Sequence, residues 1–239
     1  MTSSGPNIVI DGLIMQLDAA DPRSYPGSGS AWNDLSGYSY NGTLTNSPTY
    51  STNNNGYLAF NGTSQYVSIA NGSTKMPLSG NNFSISCWFY LTRYSPLYTI
   101  QYSAAVFASN SFTNAGLLFT VNGTASTWTG LGIFANVGAL TNNSPTYNFG
   151  LNQWYHVCLT HTSAGIWTYY VNGTAIGTFS NAGTWTDYSP YVVGFNNYTG
   201  TSYQYYFPGY ISTVQIYNTA LTANQVAQNF EAYRGRYGI

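Results

Sequence analysis

Charged side chains are scarce in this sequence: five basic and six acidic residues among 239 give a formal net charge of −1. They make up 5 % of the chain, against roughly 25 % in an average soluble protein. Five basic residues cannot form the positive stripe that neutralises phosphates, so nucleic-acid binding is excluded. The chain also lacks an apolar run of the roughly 18 residues that a membrane-spanning helix needs, so no membrane insertion is predicted.

Cysteine and a secretion signal are lacking as well. Cys87 and Cys158 are too few for the disulfide framework of a small secreted protein. The N-terminus carries no basic residue before Ile8, and its short apolar run stops at Asp11. We therefore expect synthesis in a cytoplasm without a signal peptide.

Turn signals and short apolar runs fill the rest of the chain. Asn-Gly, a strong indicator of tight hairpin turns, occurs at Asn41, Asn55, Asn61, Asn71, Asn122 and Asn172. Between the turns lie short runs rich in aromatic and β-branched residues, at 57–60, 65–69, 83–91, 116–121, 130–135, 154–160, 166–171, 191–195 and 205–217. Such runs are typical of strands in an antiparallel sandwich.

Helical periodicity occurs once, near the C-terminus. Val226, Phe230 and Tyr233 follow each other at spacings of four and three, with Thr222 as the expected N-cap and Gly235 as the expected end. The prediction is an all-β chain, a two-sheet antiparallel jelly-roll sandwich with one short C-terminal helix. Residues 1–239 are expected to form a single domain, with the N-terminal segment 1–11 docked on a neighbouring chain.

Several stretches resemble one known family. They include Gly12-Leu13-Ile14-Met15-Gln16-Leu17-Asp18, Trp32-Asn33-Asp34-Leu35-Ser36-Gly37, Phe60-Asn61-Gly62, Phe83-Ser84-Ile85-Ser86-Cys87-Trp88, Trp154-Tyr155-His156-Val157, Tyr170-Val171-Asn172-Gly173, Tyr206-Phe207-Pro208-Gly209-Tyr210-Ile211 and Ile216-Tyr217-Asn218-Thr219-Ala220-Leu221. Together they resemble the laminin G-like domains of the concanavalin A-like lectin/glucanase superfamily, of the type found in structural proteins of tailed phages. The resemblance implies a concanavalin A-like jelly roll, which in this superfamily serves lectins, glycosidases, adhesion modules and virion parts.

The carboxylates of a glycosidase are missing. Glycosidases of this superfamily carry two or three carboxylates on one inner strand, and the mechanism needs two of them close together. This chain has one glutamate, Glu231, and no aspartates two residues apart on a predicted strand. Its nearest acidic pair, Asp18 and Asp21, flanks a turn, where aspartate ordinarily caps the backbone. We therefore expect a non-enzyme.

Two metal sites deserve consideration. Asp18, Asp21 and Asp34 lie in the N-terminal turn region and could converge on Ca²⁺, although Asp34 is equally an ordinary turn former. His156 and Cys158 share one face of a predicted strand, and Cys87 could lie opposite them as a soft-metal ligand. Core packing is the favoured interpretation of that trio. No cofactor is predicted.

Aromatic residues in polar connections are the predicted contact residues. They are Tyr94, Tyr98, Tyr102, Trp185, Tyr188, Tyr198 and Tyr203. Rings beside amides suit a neutral sugar groove, and the same residues suit a protein–protein interface. Other tryptophans, Trp32, Trp88, Trp154 and Trp167, lie in strand-like or family-matching runs and are predicted to be core.

These observations predict a non-enzymatic virion structural protein, either a capsid decoration or a fibre-tip protein at the virion surface. Its partners would be other virion proteins and copies of itself in a homo-oligomer. The alternative from another class is a carbohydrate-binding adhesin that recognises neutral glycans on a host or in the environment. A glycoside hydrolase is the third alternative, and the missing carboxylates oppose it.

Overall fold

The computed structural model describes residues 6–69, 75–79, 81–94, 102–111, 114–123, 127–135, 145–182, 190–197 and 204–239. The strands are β1 Leu13–Asp18, β2 Ala31–Trp32, β3 Gly42–Thr45, β4 Thr49–Ser51, β5 Tyr57–Asn61, β6 Tyr66–Ile69, β7 Phe83–Leu91, β8 Tyr102–Ser111, β9 Asn114–Gly123, β10 Trp128–Ala135, β11 Thr146–Phe149, β12 Trp154–His161, β13 Ile166–Val171, β14 Thr174–Ser180, β15 Tyr191–Val193, β16 Phe195–Asn197, β17 Gln204–Tyr206 and β18 Pro208–Tyr217. A 3-10 helix, Asn53–Asn55, precedes β5, and the α-helix α1, Ala223–Tyr237, follows β18.

Two large antiparallel sheets form the body of the molecule. Sheet A has the order β14-β13-β12-β7-β18-β5-β4, with β1 also paired to β18, and sheet B has the order β11-β10-β9-β8-β15-β6-β3-β2. The strands β16 and β17 form a separate small ribbon. The predicted hairpin chemistry is visible between β13 and β14, where Asn172 and Gly173 have φ of 48° and 78°, as a type I′ turn requires. The predicted jelly-roll sandwich is therefore confirmed.

The main core lies between the two sheets. Alternate residues of β7 point into it, among them Phe83, Ile85, Cys87 and Phe89, all fully buried. This alternation follows from the period of two along a strand. The largest fully buried side chains of this core are Trp32, Trp167, Tyr169, Tyr191, Phe83, Phe89, Phe107, Phe119 and Phe207.

The other face of sheet A is covered by α1. Thr222 caps the helix as predicted, because its side chain accepts from the amide of Gln225 in a capping box. The predicted end at Gly235 is wrong. The helix continues to Tyr237 and ends at Gly238, whose left-handed conformation (φ 72°) is the usual helix-terminating one.

The N-terminal segment also packs on this face. The amide of Val9 donates to Oδ1 of Asn229 (2.8 Å), and the hydroxyl of Tyr217 donates to the carbonyl of Val9 (3.1 Å). Nε2 of Gln228 in α1 donates a hydrogen bond to the carbonyl of Asn7 (2.8 Å). Residues 7–9 are thus held by the chain's own helix and β18, and the docking of segment 1–11 on a neighbouring chain stays a prediction.

An ion pair fastens the C-terminal end of α1 to β1. Nη1 of Arg236 lies 2.8 Å from Oδ2 of Asp18, whose side chain is 3 % exposed. The guanidinium also lies 4.2 Å from the ring centroid of Tyr233, close enough for a cation–π contact. Within the described ranges, no helix combines the length and hydropathy needed to cross a bilayer.

Two glycine-to-alanine variants should change stability in opposite directions. At Gly209 in β18, a Cβ would collide with the backbone carbonyl of Tyr90 on the neighbouring strand. We expect Gly209→Ala to lower the free energy of unfolding by about 1–3 kcal/mol, as overpacking does. Gly235 lies inside α1 with open space around it, so Gly235→Ala should stabilise by about 0.5–1 kcal/mol. Urea denaturation of both variants measures this; a Gly209→Ala variant as stable as the wild type would contradict the close packing of β18 on β7.

Candidate functional site

The structure describes few of the predicted contact residues. Tyr94 follows β7 and packs partly buried against the core, and Tyr102 is the first residue of β8. The predicted residues Tyr98, Trp185, Tyr188, Tyr198 and Tyr203 lie outside the described residues.

Tyr102 pairs with Gly123 at one end of β8. The other predicted contact residues stay a prediction, because all but Tyr94 lie outside the described residues.

The predicted calcium ligands are engaged by protein groups. Oδ1 of Asp34 accepts from the amides of Gln16 (2.8 Å) and Ser36 (2.9 Å), as expected of a turn former. Asp21 binds Arg23 at 2.6 Å, and this hydrogen bond lowers the pKa of the Asp21 carboxyl. Asp18 binds Arg236. In the described part of the chain, no three His, Cys, Asp or Glu side chains form a metal-binding group.

The soft-metal trio is separated by strand register. Val157 pairs directly with Cys87, so these two side chains share one face of sheet A. His156 and Cys158 lie on the opposite face, under α1, and Cys158 packs with Val9 and Tyr217. Burial raises the pKa of both thiols well above its usual range, so neither is a reactive thiolate. The favoured core interpretation agrees with this arrangement.

A serine and a histidine lie in contact beneath α1. Oγ of Ser86 is 2.8 Å from Nε2 of His156, and both residues are about 1 % exposed. No described group hydrogen-bonds Nδ1 of His156, whereas a serine hydrolase orients that atom with a carboxylate. Burial lowers the pKa of His156 to about 3. A base this weak, covered by a helix, serves packing and not nucleophilic catalysis.

His156 makes stability depend on pH in a defined direction. Its pKa is about 3 in the folded protein against 6.5 for the free side chain, so the unfolded chain binds a proton between these values and the folded chain does not. The stabilisation is therefore present above pH 6.5 and is lost as the pH falls. We expect the free energy of unfolding to drop by about 1 kcal/mol between pH 7 and pH 5.5. Denaturant titrations at several pH values measure this drop. In a His156→Gln variant, most of this drop in the free energy of unfolding should disappear. A variant whose stability depends on pH as steeply as that of the wild type would contradict the assignment to His156.

Four aromatic residues meet on the outer face of sheet A. We call Tyr57 of β5, Tyr90 of β7, Trp154 of β12 and Tyr210 of β18 the aromatic quartet. Tyr90 pairs directly with both Tyr210 and Trp154 across the sheet. The ring centroids of Tyr57 and Tyr210 lie 4.3 Å apart and those of Tyr90 and Tyr210 lie 5.0 Å apart, with interplanar angles of 18° and 17°. Trp154 closes the group at 5.5 Å from Tyr90 and 5.7 Å from Tyr57.

One member of the quartet, Trp154, is buried against α1, and the three tyrosines are partly exposed. Trp154 is 6 % exposed and lies 4.6 Å from the ring of Tyr237, which in turn stacks on Trp88 at 4.2 Å. The three quartet tyrosines are half-buried. This packing fixes the rings before any ligand arrives, and a preorganised site binds at a lower entropic cost.

Uncharged polar residues precede two of the strands that carry the quartet. Exposed amide side chains precede β5 at Asn53 and Asn54 and precede β12 at Asn152 and Gln153. Nδ2 of Asn54 donates to the carbonyl of Arg236, and the amide of Asn152 donates to the carbonyl of Leu91. Burial, and then the neighbouring Tyr57 and Tyr90, raise the pKa of Tyr210. The site therefore offers aromatic rings and neutral hydroxyls.

Sequence reasoning missed this site. The core prediction for Trp154 agrees with its burial, but Tyr57, Tyr90 and Tyr210 were not among the predicted contact residues. One signal was present: the run Phe83-Ser84-Ile85-Ser86-Cys87-Trp88-Phe89-Tyr90 becomes aromatic on both faces after Trp88. This pattern indicates a covered outer face, and the register of three other strands is needed to show what covers it.

Comparison with known proteins gives a family match. A family model described as the concanavalin A-like lectin/glucanases superfamily (Laminin_G_3) matches residues 61–227, more than two thirds of the chain. This range includes Tyr90, Trp154 and Tyr210. No curated protein is found to match the sequence.

Solved structures resemble the fold at low sequence identity. Domain 4 of AbnA, a GH43 extracellular arabinanase from Geobacillus stearothermophilus, in complex with arabinotriose, has a TM-score of 0.61 at 18 % identity, covering 92 % of this chain and 98 % of that one. A structure on ganglioside-dependent cell entry of botulinum neurotoxin type C has a TM-score of 0.68 at 16 % identity over 94 % of this chain. The binding domain of botulinum neurotoxin DC with SialylT has a TM-score of 0.69 at 14 % identity over 94 %. This chain spans about half of each neurotoxin chain, 52 % in both cases.

Proposed function

Because the chain belongs to the concanavalin A-like lectin/glucanases superfamily, we propose that it is a non-catalytic carbohydrate-binding domain whose glycan site is the aromatic quartet. The observation that carries this proposal is the quartet itself, with three half-buried tyrosines and Trp154 on four neighbouring strands of sheet A.

The chemistry of the quartet fits a saccharide. A sugar presents an apolar C–H surface and many hydroxyls, and aromatic residues with a polar end match both. The hydroxyls of Tyr57, Tyr90 and Tyr210 provide donors and acceptors close to the rings. Tyrosine also loses little conformational entropy on binding.

The structural relatives support the proposal. The arabinanase domain is in complex with arabinotriose, and the neurotoxin type C structure concerns interaction with gangliosides. The arabinanase domain thus shows a saccharide complex of a protein with this fold. A shared fold does not transfer a binding site, so the site is argued from the residues of this chain.

Catalysis is not part of the proposal. A glycosidase needs two carboxyl groups about 5–10 Å apart across the scissile bond. Glu231 forms an exposed ion pair with Arg234 on α1, and Asp18 and Asp21 bind arginines. Asp34 is held by backbone amides. None of these described carboxylates belongs to the quartet.

The binding test is a titration of the purified protein with arabinotriose, followed by a broad glycan microarray. Trp154 lies in the quartet, so a bound sugar should change tryptophan fluorescence with saturation. The sugar should be recovered intact after prolonged incubation. Saturable binding without hydrolysis is the expected result. Absence of binding to every glycan on the array would overturn the proposal.

A second candidate function is that of a virion structural protein, as a capsid decoration or fibre-tip protein at the virion surface. The observation that favours it is the uncharged surface: 9731 Å² of accessible area shared by 11 charged side chains leaves about 900 Å² for each. An interface covers about 800 Å² per partner, so neutral patches of that size must be common. Such patches suit docking to other virion proteins and to copies of this chain.

Light scattering of the purified protein tests this second candidate. A closed oligomer, such as a trimer, would support symmetric attachment to a particle. A stable monomer at 26.0 kDa would count against self-assembly and leave glycan binding as the remaining proposal.

A further inference from the structure

The structure describes all five basic residues of this chain, and their positions indicate which kind of glycan the quartet can bind. We infer that the saccharide bound at the aromatic quartet is uncharged, a neutral sugar chain without sialic acid or uronic acid groups. The inference rests on the proposed function and specifies the class of ligand for the same site.

The five basic residues are all described, and most are engaged by acidic groups. Arg23 binds Asp21, Arg234 binds Glu231, and Arg236 binds Asp18. These three pairs leave no net positive charge on the residues involved.

The two other basic residues are also placed by the structure. Nη2 of Arg93 donates to the carbonyl of Asn61 at 2.6 Å. Lys75 directly precedes Met76, whose amide is bonded to the hydroxyl of Tyr191 in β15 of sheet B. Lys75 therefore belongs to the neighbourhood of sheet B, whereas the quartet lies on the outer face of sheet A.

Arg236 directly precedes Tyr237, whose ring centroid lies 4.6 Å from that of Trp154 in the quartet. The carbonyl of Arg236 accepts from Asn54, but its guanidinium points to Asp18 and lies over the ring of Tyr233. A guanidinium that binds a buried carboxylate is not available for a second carboxylate on a ligand. An acidic sugar at the quartet would therefore not be held by an arginine fork from Arg236.

The polar groups that the quartet does offer are neutral. They are the phenol hydroxyls of its three tyrosines, which hydrogen-bond to sugar hydroxyls without a charge. Bringing an ionised carboxylate against half-buried rings costs desolvation energy that a neutral sugar does not incur. Binding to a neutral sugar should also be insensitive to salt, since salt screens only charge–charge interactions.

The test uses pairs of glycans that differ by one acidic group, such as lactose with 3′-sialyllactose and xylo-oligosaccharides with and without glucuronic acid. The wild-type protein is titrated with each member at low and near-molar salt. We expect the affinity for the neutral member of every bound pair to be at least about ten-fold higher than that for the acidic member. The affinity for the neutral member should not change with salt.

The other outcomes are distinct. Equal or tighter binding of the acidic members, weakening with salt, would overturn the inference and leave the proposed carbohydrate-binding function standing. Binding to no glycan in the set or on the wider array would overturn the proposed function and the inference together.

Discussion

Replacing Trp88 by alanine will lower the free energy of unfolding by about 3–5 kcal/mol. Trp88 is fully buried on the outer face of sheet A. Its ring stacks on Tyr237 at 4.2 Å and lies parallel to Phe230 at 5.7 Å. The substitution leaves a cavity between β7 and α1, and the rigid sheet cannot close it. Chemical denaturation should show a much lower midpoint, and α1 should be the first element to lose protection from hydrogen exchange.

The matched control is a substitution at an exposed aromatic residue. Tyr38 is 55 % exposed, so Tyr38→Ala should change stability by no more than about 0.5 kcal/mol. A Trp88→Ala variant within 1 kcal/mol of the wild type would mean that α1 does not pack on sheet A as described.

Replacing Tyr210 by alanine will abolish most glycan binding while leaving the fold intact. Tyr210 is the ring that contacts both Tyr57 and Tyr90, so its loss opens the centre of the quartet. Central aromatic residues of binding sites contribute about 2 kcal/mol or more, which corresponds to about a 30-fold loss of affinity. Titration of the variant with the best neutral glycan measures this loss.

Tyr38→Ala again provides the control, because it removes a tyrosine far less buried than those of the quartet. Its affinity should equal that of the wild type, and circular dichroism should show the same fold for both variants. Wild-type affinity in Tyr210→Ala would show that the glycan site lies elsewhere on the molecule.

Local signals predicted the fold well. The Asn172-Gly173 turn has the backbone angles that a tight hairpin needs, and Thr222 caps α1 as its side-chain chemistry requires. These features depend on residues close together in the sequence. The end of α1 was misjudged because Gly235 is tolerated inside a helix held by packing, while Gly238 takes the left-handed conformation that ends it.

Features that depend on strand register could not be predicted. The soft-metal trio is excluded because Cys87 pairs with Val157 and so faces away from His156. A shift of one residue would have reversed that result. The quartet has the same origin, since it joins residues of β5, β7, β12 and β18 that span positions 57 to 210. The sequence contains these tyrosines, but it does not show that they lie next to each other in the folded sheet.

The predicted contact residues in the connections remain a separate expectation. These residues are aromatic and lie in stretches rich in asparagine and glycine. That composition suits a sugar site, but it is common in this chain. Tyr94 packs against the core, and Trp185 lies outside the described residues. The experiment that separates these residues from the quartet is therefore also the most direct test of the account.

That experiment is a nitrogen-15 NMR titration of the six tryptophan indole signals with a neutral oligosaccharide that binds. The account predicts that the Trp154 indole signal shifts with saturation, while those of Trp32 and Trp167, buried between the sheets, stay in place. A saturating shift of the Trp185 signal with Trp154 unmoved would contradict it and move the glycan site to residues 183–189.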